Sequence, residues 1–166
     1  MTLHPFPPLY DKNSNILILG SFPSVKSREK MFFYGHPQNR FWKVISAVFG
    51  DKMPVSIEEK KKFLLKHGIA LWDVIASCEI EGSSDSSIKN VTANDITEIL
   101  GCADIKAIFV NGKTAEKYYK KYIEKAVGRR AVCLPSTSPA NAAWSLDRLV
   151  EEWENKIVQC NEALKL

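Results

Sequence analysis

The segment Gly35-His36-Pro37-Gln38-Asn39-Arg40-Phe41-Trp42 sets a carboxamide pair, a guanidinium and two adjacent aromatics behind a glycine–proline turn. It follows an apolar run that closes in Gly20-Ser21-Phe22-Pro23-Ser24. A loop of this composition at the end of a buried strand can hold a flat ring and one water molecule. It contains no carboxylate, cysteine or metal-ligand cluster for harder chemistry.

Other chemistries fit poorly. Gly112-Lys113-Thr114 resembles the tail of a phosphate-binding P-loop, but that motif needs a glycine five positions earlier, where Ala107 stands. Gly20 to Ser24 is not the Gly-x-Ser-x-Gly elbow of a serine hydrolase. No Gly-x-Gly-x-x-Gly dinucleotide fingerprint is present. The four cysteines, Cys78, Cys102, Cys133 and Cys160, and the three histidines, His4, His36 and His67, are too scattered for a metal site. No metal or organic cofactor is implied.

These residues need elements to position them. Ile16-Leu17-Ile18-Leu19, closed by Gly20, reads as a buried parallel strand. Phe41, Val44, Ile45 and Val48 recur at helical spacing up to Gly50. Ser56 with Glu59 forms a capping box for a helix that Gly68 closes. Ala70 to Ala76 reads as a second strand, interrupted by Asp73, and the serine-rich stretch Glu81 to Asn90 as a surface loop. Asn94 is expected to cap a short helix through Leu100.

Lys106 to Val110 reads as a third strand, with Asn111-Gly112 and a helix from Thr114 to about Lys125 behind it. Ala131 to Leu134 is a fourth strand, Pro135 to Asn141 a loop, and Ser145 to Val158 an amphipathic last helix. Strands alternating with helices predict an α/β protein, with a central four-stranded, mainly parallel sheet between helical layers. Such sheets bind ligands beyond the carboxyl ends of their strands. Those ends carry Ser21 to Ser24, Asp73 to Cys78, Asn111-Gly112 and Pro135 to Asn141.

At 166 residues the chain reads as a single domain, residues 1–166, that buries about two-thirds of its unfolded surface. A formal charge of +4 permits a nucleic-acid partner without demanding one. No apolar run approaches the roughly 20 residues of a membrane span. Met1 to Leu9 lacks a basic segment followed by an apolar core, so no secretory signal is expected. Free thiols, a cytoplasmic location and a monomer are the expectations.

With the motifs in view, the chain resembles the uracil-DNA glycosylase superfamily, and within it the hypoxanthine-DNA glycosylase branch. Ile18-Leu19-Gly20-Ser21-Phe22-Pro23-Ser24 stands in the place of the first motif. Leu134-Pro135-Ser136-Thr137-Ser138-Pro139-Ala140-Asn141 stands in the place of the second. Tyr34 to Trp42, Leu71-Trp72-Asp73-Val74 and Asp85-Ser86-Ser87-Ile88 also look like that branch. One position departs: many members carry Asp or Asn where this chain has Phe22.

The resemblance implies a three-layer α/β/α sandwich and a monofunctional DNA glycosylase of base excision repair. Its partner would be DNA containing a deaminated base, with hypoxanthine the leading substrate. Uracil or thymine opposite guanine is the runner-up, and a binding module without catalysis is the other alternative. Excision passes through an oxocarbenium-like sugar and an anionic base, so the attacking water needs position more than deprotonation. With Phe22 in the first loop, Asn39 is the candidate for the water-positioning group.

The base pocket would comprise Gly20, Ser21, Phe22, Asp73 and Asn111. Phe22 would stack on the flipped base, worth about 1–3 kcal/mol. Asp73 would accept the N1–H of hypoxanthine, because a carboxylate only accepts. Ser24, Arg40, Ser136, Thr137 and Ser138 would contact DNA, and Pro139, Ala140 and Asn141 would fill the gap left by the base. No lysine sits in the motifs, so Schiff-base lyase chemistry is not expected.

Structural readings stand beside these. Asn39 could simply cap the helix beginning at Phe41, and Phe41 and Trp42 read better as core. Asp73 reads equally as a buried structural acid, and Asn111-Gly112 as a turn. Ser136 and Ser138 could be turn formers, and Lys60-Lys61-Lys62 a solvated helix face.

Overall fold

The computed structural model describes residues 1–164, with side chains described to Cys160. Strand β1 (Thr2–Leu3) precedes β2 (Ile16–Gly20), α1 (Val25–Lys30), α2 (Phe41–Phe49), α3 (Ile57–Lys66), β3 (Ile69–Asp73) and β4 (Ile75–Glu79). Then come β5 (Lys89–Ala93), α4 (Thr97–Cys102), β6 (Ala107–Asn111), α5 (Lys113–Tyr122), α6 (Glu124–Val127), β7 (Val132–Leu134) and α7 (Leu146–Leu164).

The main sheet runs β3-β2-β6-β7, with all three pairings parallel. Strand β2 explains the layering. Every residue in it is buried, with Ile16 and Ile18 facing one core and Leu17 and Leu19 the other. A strand covered on both faces must be apolar throughout. Phe41, Val44 and Ile45 of α2, Phe63 and Leu64 of α3, and Leu149, Trp153 and Ile157 of α7 fill the first core. Ile99 of α4 and Ala115, Tyr118 and Tyr119 of α5 fill the second. The expected three layers and four-stranded parallel sheet are present.

The chain leaves β2 for β3 on one side and returns to β6 and β7 on the other. The direction of winding therefore changes between β2 and β6, and a cleft opens at such a point beyond the strand ends. Gly20 ends β2 and Asn111 ends β6.

Local expectations fared unevenly. Ser56 Oγ accepts from Glu59 N at 3.1 Å, and the Glu59 carboxylate reaches back to the N–H of Val55. The single strand expected over Ala70 to Ala76 is two strands in two sheets. Past Asp73, Val74 N donates to Gly20 O (2.8 Å) and Ile75 N to Ser21 O (3.1 Å), which turns the chain into β4. There β4 pairs antiparallel with β1 and β5 in a second, three-stranded sheet.

The loop expected over Glu81 to Asn90 holds a 3₁₀ turn at Asp85–Ser87 and the start of β5. Asn94 does not cap α4: its amide donates to Asp73 O, and Asp95 takes the N–H of Thr97. The helix expected from Thr114 to Lys125 breaks at Ile123 into α5 and α6. Among the described residues no helix is long and apolar enough to cross a membrane, and no cluster of three or more metal-ligating groups occurs.

Candidate active site

A cavity of about 970 Å³ lies at the winding change, bounded by Gly20 to Ser24, Asn39, Asp73, Asp85, Asn111 and Ser136 to Asn141. The three segments singled out in the sequence thus meet around one space. It is large enough for a flipped nucleotide.

A hydrogen-bonded chain ties its floor together. Asn111 Nδ2 donates to Tyr34 Oη (3.2 Å) and to Thr137 Oγ1 (3.0 Å), and Thr137 N donates to Asn111 Oδ1 (3.2 Å). Thr137 Oγ1 in turn donates to Asn39 Oδ1 at 2.9 Å. Phe41 N donates to the same oxygen, also at 2.9 Å. A backbone N–H can only donate, so Phe41 and Thr137 fix which end of each carboxamide is the oxygen.

The consequence for Asn39 is specific. Its oxygen already accepts from two donors, whereas among the described residues no acceptor is bonded to its Nδ2. The residue is half-buried on the cavity wall, so it offers N–H donors there rather than an acceptor. The capping reading is half right: Arg40 holds the cap position of α2, and Asn39 takes the first free N–H of the helix.

Asp73 is 4% exposed, and its Oδ2 accepts from His4 Nε2 at 2.7 Å. His4, in the segment after β1, packs edge-on against Phe6 and Phe22. Its Nδ1 is buried without a partner among the described residues. The other carboxylate oxygen, Oδ1, lies against Gly20, where any Cβ would overlap it. Gly20 is thus a window through which Asp73 reaches the cavity floor. Tyr34 Oη sits 3.1 Å from that same Cβ position, and Tyr34 adopts φ +51 while stacking on Phe41 at 4.0 Å. Burial and the Asp73 charge push the Tyr34 phenol far above its ordinary pKa, so it remains a hydroxyl.

Gly112 has φ +96, and a Cβ there would lie 3.0 Å from Ser136 Cβ. A glycine is needed both for that backbone and for the close approach of the β7 loop.

Several sequence-predicted contacts are used differently. Arg40 donates to the carbonyls of Trp144, Ser138 (3.2 Å) and Asn141 (3.1 Å), so its guanidinium clamps the Ser136 to Trp144 loop instead of standing free for phosphate. Thr137 is fully buried and holds Asn39 and Asn111; it is not a surface contact for DNA. Phe22 is 8% exposed, with the Arg28 guanidinium 5.6 Å from its ring centroid and His4 at its edge. Phe22 nonetheless lines the cavity wall.

Ser24 caps α1 by accepting from Ser27 N at 3.1 Å. Ser136 Oγ accepts from Ser138 N, Ser138 Oγ from Ala140 N, and Asn141 Nδ2 donates to Ser136 O. These bonds shape the loop, and Pro139 and Ala140 stay exposed at its tip.

His4, Tyr34 and Asp85 were not singled out as site residues in the sequence. Asp85 Oδ1 and Oδ2 each lie 3.3 Å from Ser21 Oγ, which donates between them. Asp85 as a residue is open to solvent, but its carboxyl sits against the cleft wall, and that desolvation raises its pKa. Ser21 and Thr114 oppose the rise, and the charge of Asp73 adds to it.

Residues 7–165 match the family model of the uracil DNA glycosylase superfamily. A Methanosarcina acetivorans protein named hypoxanthine DNA glycosylase is 38% identical over 151 residues, 90% of this chain and 94% of that one. A Methanosarcina barkeri protein of the same name is 36% identical over 138 residues, 82% of this chain and 86% of that one. The fold is similar to the solution NMR structure of a Methanosarcina acetivorans protein provisionally named a uracil DNA glycosylase. The TM-score is 0.79 and the identity 35%, over 94% of this chain and 96% of that one. The sheet order, the cleft at the winding change and the three motifs around it agree with this match, and the chain belongs to the uracil-DNA glycosylase superfamily.

Proposed function

We propose that this protein is a monofunctional DNA glycosylase that flips hypoxanthine out of deoxyinosine-containing DNA and hydrolyses its N-glycosidic bond, leaving an abasic site. The observation that carries this reading is the floor of the cleft. It presents a buried acceptor, Asp73 Oδ1 behind Gly20, together with N–H donors of Asn39 Nδ2 that have no partner among the described residues. The naming of two relatives as hypoxanthine DNA glycosylases supports the choice of base.

Hypoxanthine matches such a floor. Its N1–H donates to a carboxylate oxygen, and its ring nitrogens and O6 accept from N–H groups. Adenine lacks the N1–H and would leave the buried Asp73 oxygen unpaired, at a cost of about 1–3 kcal/mol. As the C1′–N9 bond breaks, negative charge grows on the base. A fixed donor such as Asn39 Nδ2 is worth roughly 3 kcal/mol to a developing charge. The donor cannot drift, because Phe41 and Thr137 hold the other end of the carboxamide.

The flipped base leaves a gap in the duplex that the exposed tip at Pro139 and Ala140 fills, while Arg40 keeps that tip in shape. Flipping costs a few kcal/mol, least for a mispaired base. The test is single-turnover excision on duplexes carrying deoxyinosine opposite thymine, or uracil opposite guanine or adenine, read by cleavage at the abasic site. Fastest release at deoxyinosine is the expected result. Faster release at uracil would keep the reaction and change the substrate.

A further inference from the structure

Asp73 reads a base in one of two opposite ways, according to its form. As a carboxylate it accepts a hydrogen bond; with a proton on Oδ1 it would donate one. Deamination of adenine turns N1 from an acceptor into an N–H donor, and deamination of cytosine does the same at N3. An acceptor facing the flipped base therefore favours the deaminated product, and a donor there favours the parent base.

We infer that His4 is the positioning residue that makes this choice. Its Nε2–H holds Asp73 Oδ2, so that Oδ1 faces the cavity as an acceptor and the ring N–H of a deaminated base is preferred over the bare nitrogen of its parent. The role rests on the excision reading above and deepens it by naming what sets the choice of base.

The bond between the two is short and dry. It measures 2.7 Å, with the side chains of His4 and Asp73 only 4% and 6% exposed. The second oxygen, Oδ1, lies against Gly20 on the cavity floor, and no donor among the described residues is bonded to it. The ring shows where its own proton sits. Nδ1 is buried with no partner among the described residues, whereas Nε2 has an acceptor. The proton of a neutral imidazole is stabilised at the nitrogen that can donate it. With Oδ2 already accepting from that donor, the carboxylate is left to accept at Oδ1 as well.

The fold keeps the ring in place. Strand β1 pairs antiparallel with β4, Thr2 facing Cys78 and Leu3 facing Ser77, and His4 N donates to Ala76 O at 2.8 Å. Asp73 ends β3 and Ile75 begins β4, so the arm carrying His4 is zipped onto the continuation of the segment carrying Asp73. The imidazole then stands among four aromatic rings. Their centroids are 4.6 Å away at Phe6, 6.0 Å at Phe22, and 6.4 Å at both Phe33 and Trp72. Turning Nε2 away from Asp73 would set a buried N–H against hydrocarbon, which is costly. Phe22 also lines the cavity, so His4 touches both the acceptor and one wall of the base site.

A His–Asp pair that only fastened the N-terminal arm to the sheet would leave the choice of base unchanged when it is broken. The experiment separates the two roles. It compares the unaltered protein with His4→Gln, His4→Asn and His4→Phe. The Gln amide reaches the place of Nε2, the Asn amide only that of Nδ1, and Phe keeps a ring without a donor. Affinity is measured for duplexes carrying 2′-fluoro deoxyinosine or 2′-fluoro deoxyadenosine, whose glycosidic bonds resist hydrolysis, and for a duplex with a stable abasic analogue. Thermal midpoint is the fold check.

His4→Phe and His4→Asn are expected to lower the preference for the inosine over the adenosine duplex by about tenfold or more, with abasic affinity within about twofold of the parent. His4→Gln should keep that preference to within about threefold. A preference within about twofold of the parent in His4→Phe would overturn the role. Equal losses on all three duplexes would also overturn it, because they mark a structural part alone. If the variants melt below the assay temperature, nitrogen NMR of the unaltered, histidine-labelled protein decides. His4 is expected as the Nε2–H form, with signals that move on the inosine duplex and not on the abasic one. An Nδ1–H ring, or no selective movement, would overturn the role. Equal affinity of the parent for inosine and adenosine would overturn both the choice of hypoxanthine and the role of His4. A parent that prefers inosine yet releases no base would overturn the excision reading and leave the role of His4 standing.

Discussion

Gly20 and Asp73 end adjacent parallel strands in register, and a Cβ on Gly20 would overlap Asp73 Oδ1. The glycine is therefore the condition for a buried carboxylate to face the cleft. Gly20→Ala is expected to lower stability by about 1–3 kcal/mol through overpacking. Excision should fall further than that loss explains, because the methyl also covers the base-edge acceptor. Urea unfolding and single-turnover excision on one preparation check the two effects separately.

His4 holds that carboxylate from the far side, at 2.7 Å and with both side chains nearly buried. His4→Ala leaves a buried Asp73 oxygen without its hydrogen-bond partner, and is expected to cost about 1–3 kcal/mol. Adding Asp73→Asn to it should cost less than the sum of the two single changes. Additive losses in denaturant melts would mean that the pair is not coupled.

Arg40 separates a structural role from an electrostatic one. Its three carbonyl partners lie on the loop that borders the cleft. Arg40→Ala is expected to destabilise by about 3 kcal/mol. The slope of log affinity against log salt should be unchanged, whereas losing a phosphate contact would reduce it by about 0.9. A salt titration of binding to an abasic duplex distinguishes the two.

Thr137 joins the carboxamides of Asn39 and Asn111 with one hydroxyl. Thr137→Val removes the bridge at nearly constant shape and leaves Asn39 and Asn111 each short of one hydrogen bond, though Phe41 N, the backbone N–H of residue 137 and Tyr34 still hold them. Excision is expected to slow by about tenfold or more, equivalent to roughly 1.4 kcal/mol. Thr137→Ser keeps the hydroxyl and should keep most of the rate. Equal rates for the two variants in a single-turnover assay would remove the bridge from the account.

The sequence made the sheet legible wherever a strand is covered on both faces. Ile16 to Leu19 is continuous apolar sequence because each residue faces a core. It did not reveal that Ala70 to Ala76 splits. Val74 and Ile75 remain apolar and buried on both sides of the break, and the turn is set by bonds to Gly20 O and Ser21 O far away in sequence. The three motifs could be seen to converge, but not how they are wired. His4 reaches Asp73 across 69 residues, and Arg40 meets carbonyls about 100 residues on. Neither distance leaves a local pattern. Asp85 was seen only within a segment that resembles the family branch; its bond from Ser21, 64 residues away, leaves no local pattern.

The central claim is hydrolytic removal of hypoxanthine. The most direct measurement is mass spectrometry of both products after incubation with a deoxyinosine duplex. Free hypoxanthine in equal amount to an intact strand carrying an abasic site is the result this account predicts. No free base, or a strand already broken by β-elimination without added base or heat, would contradict it.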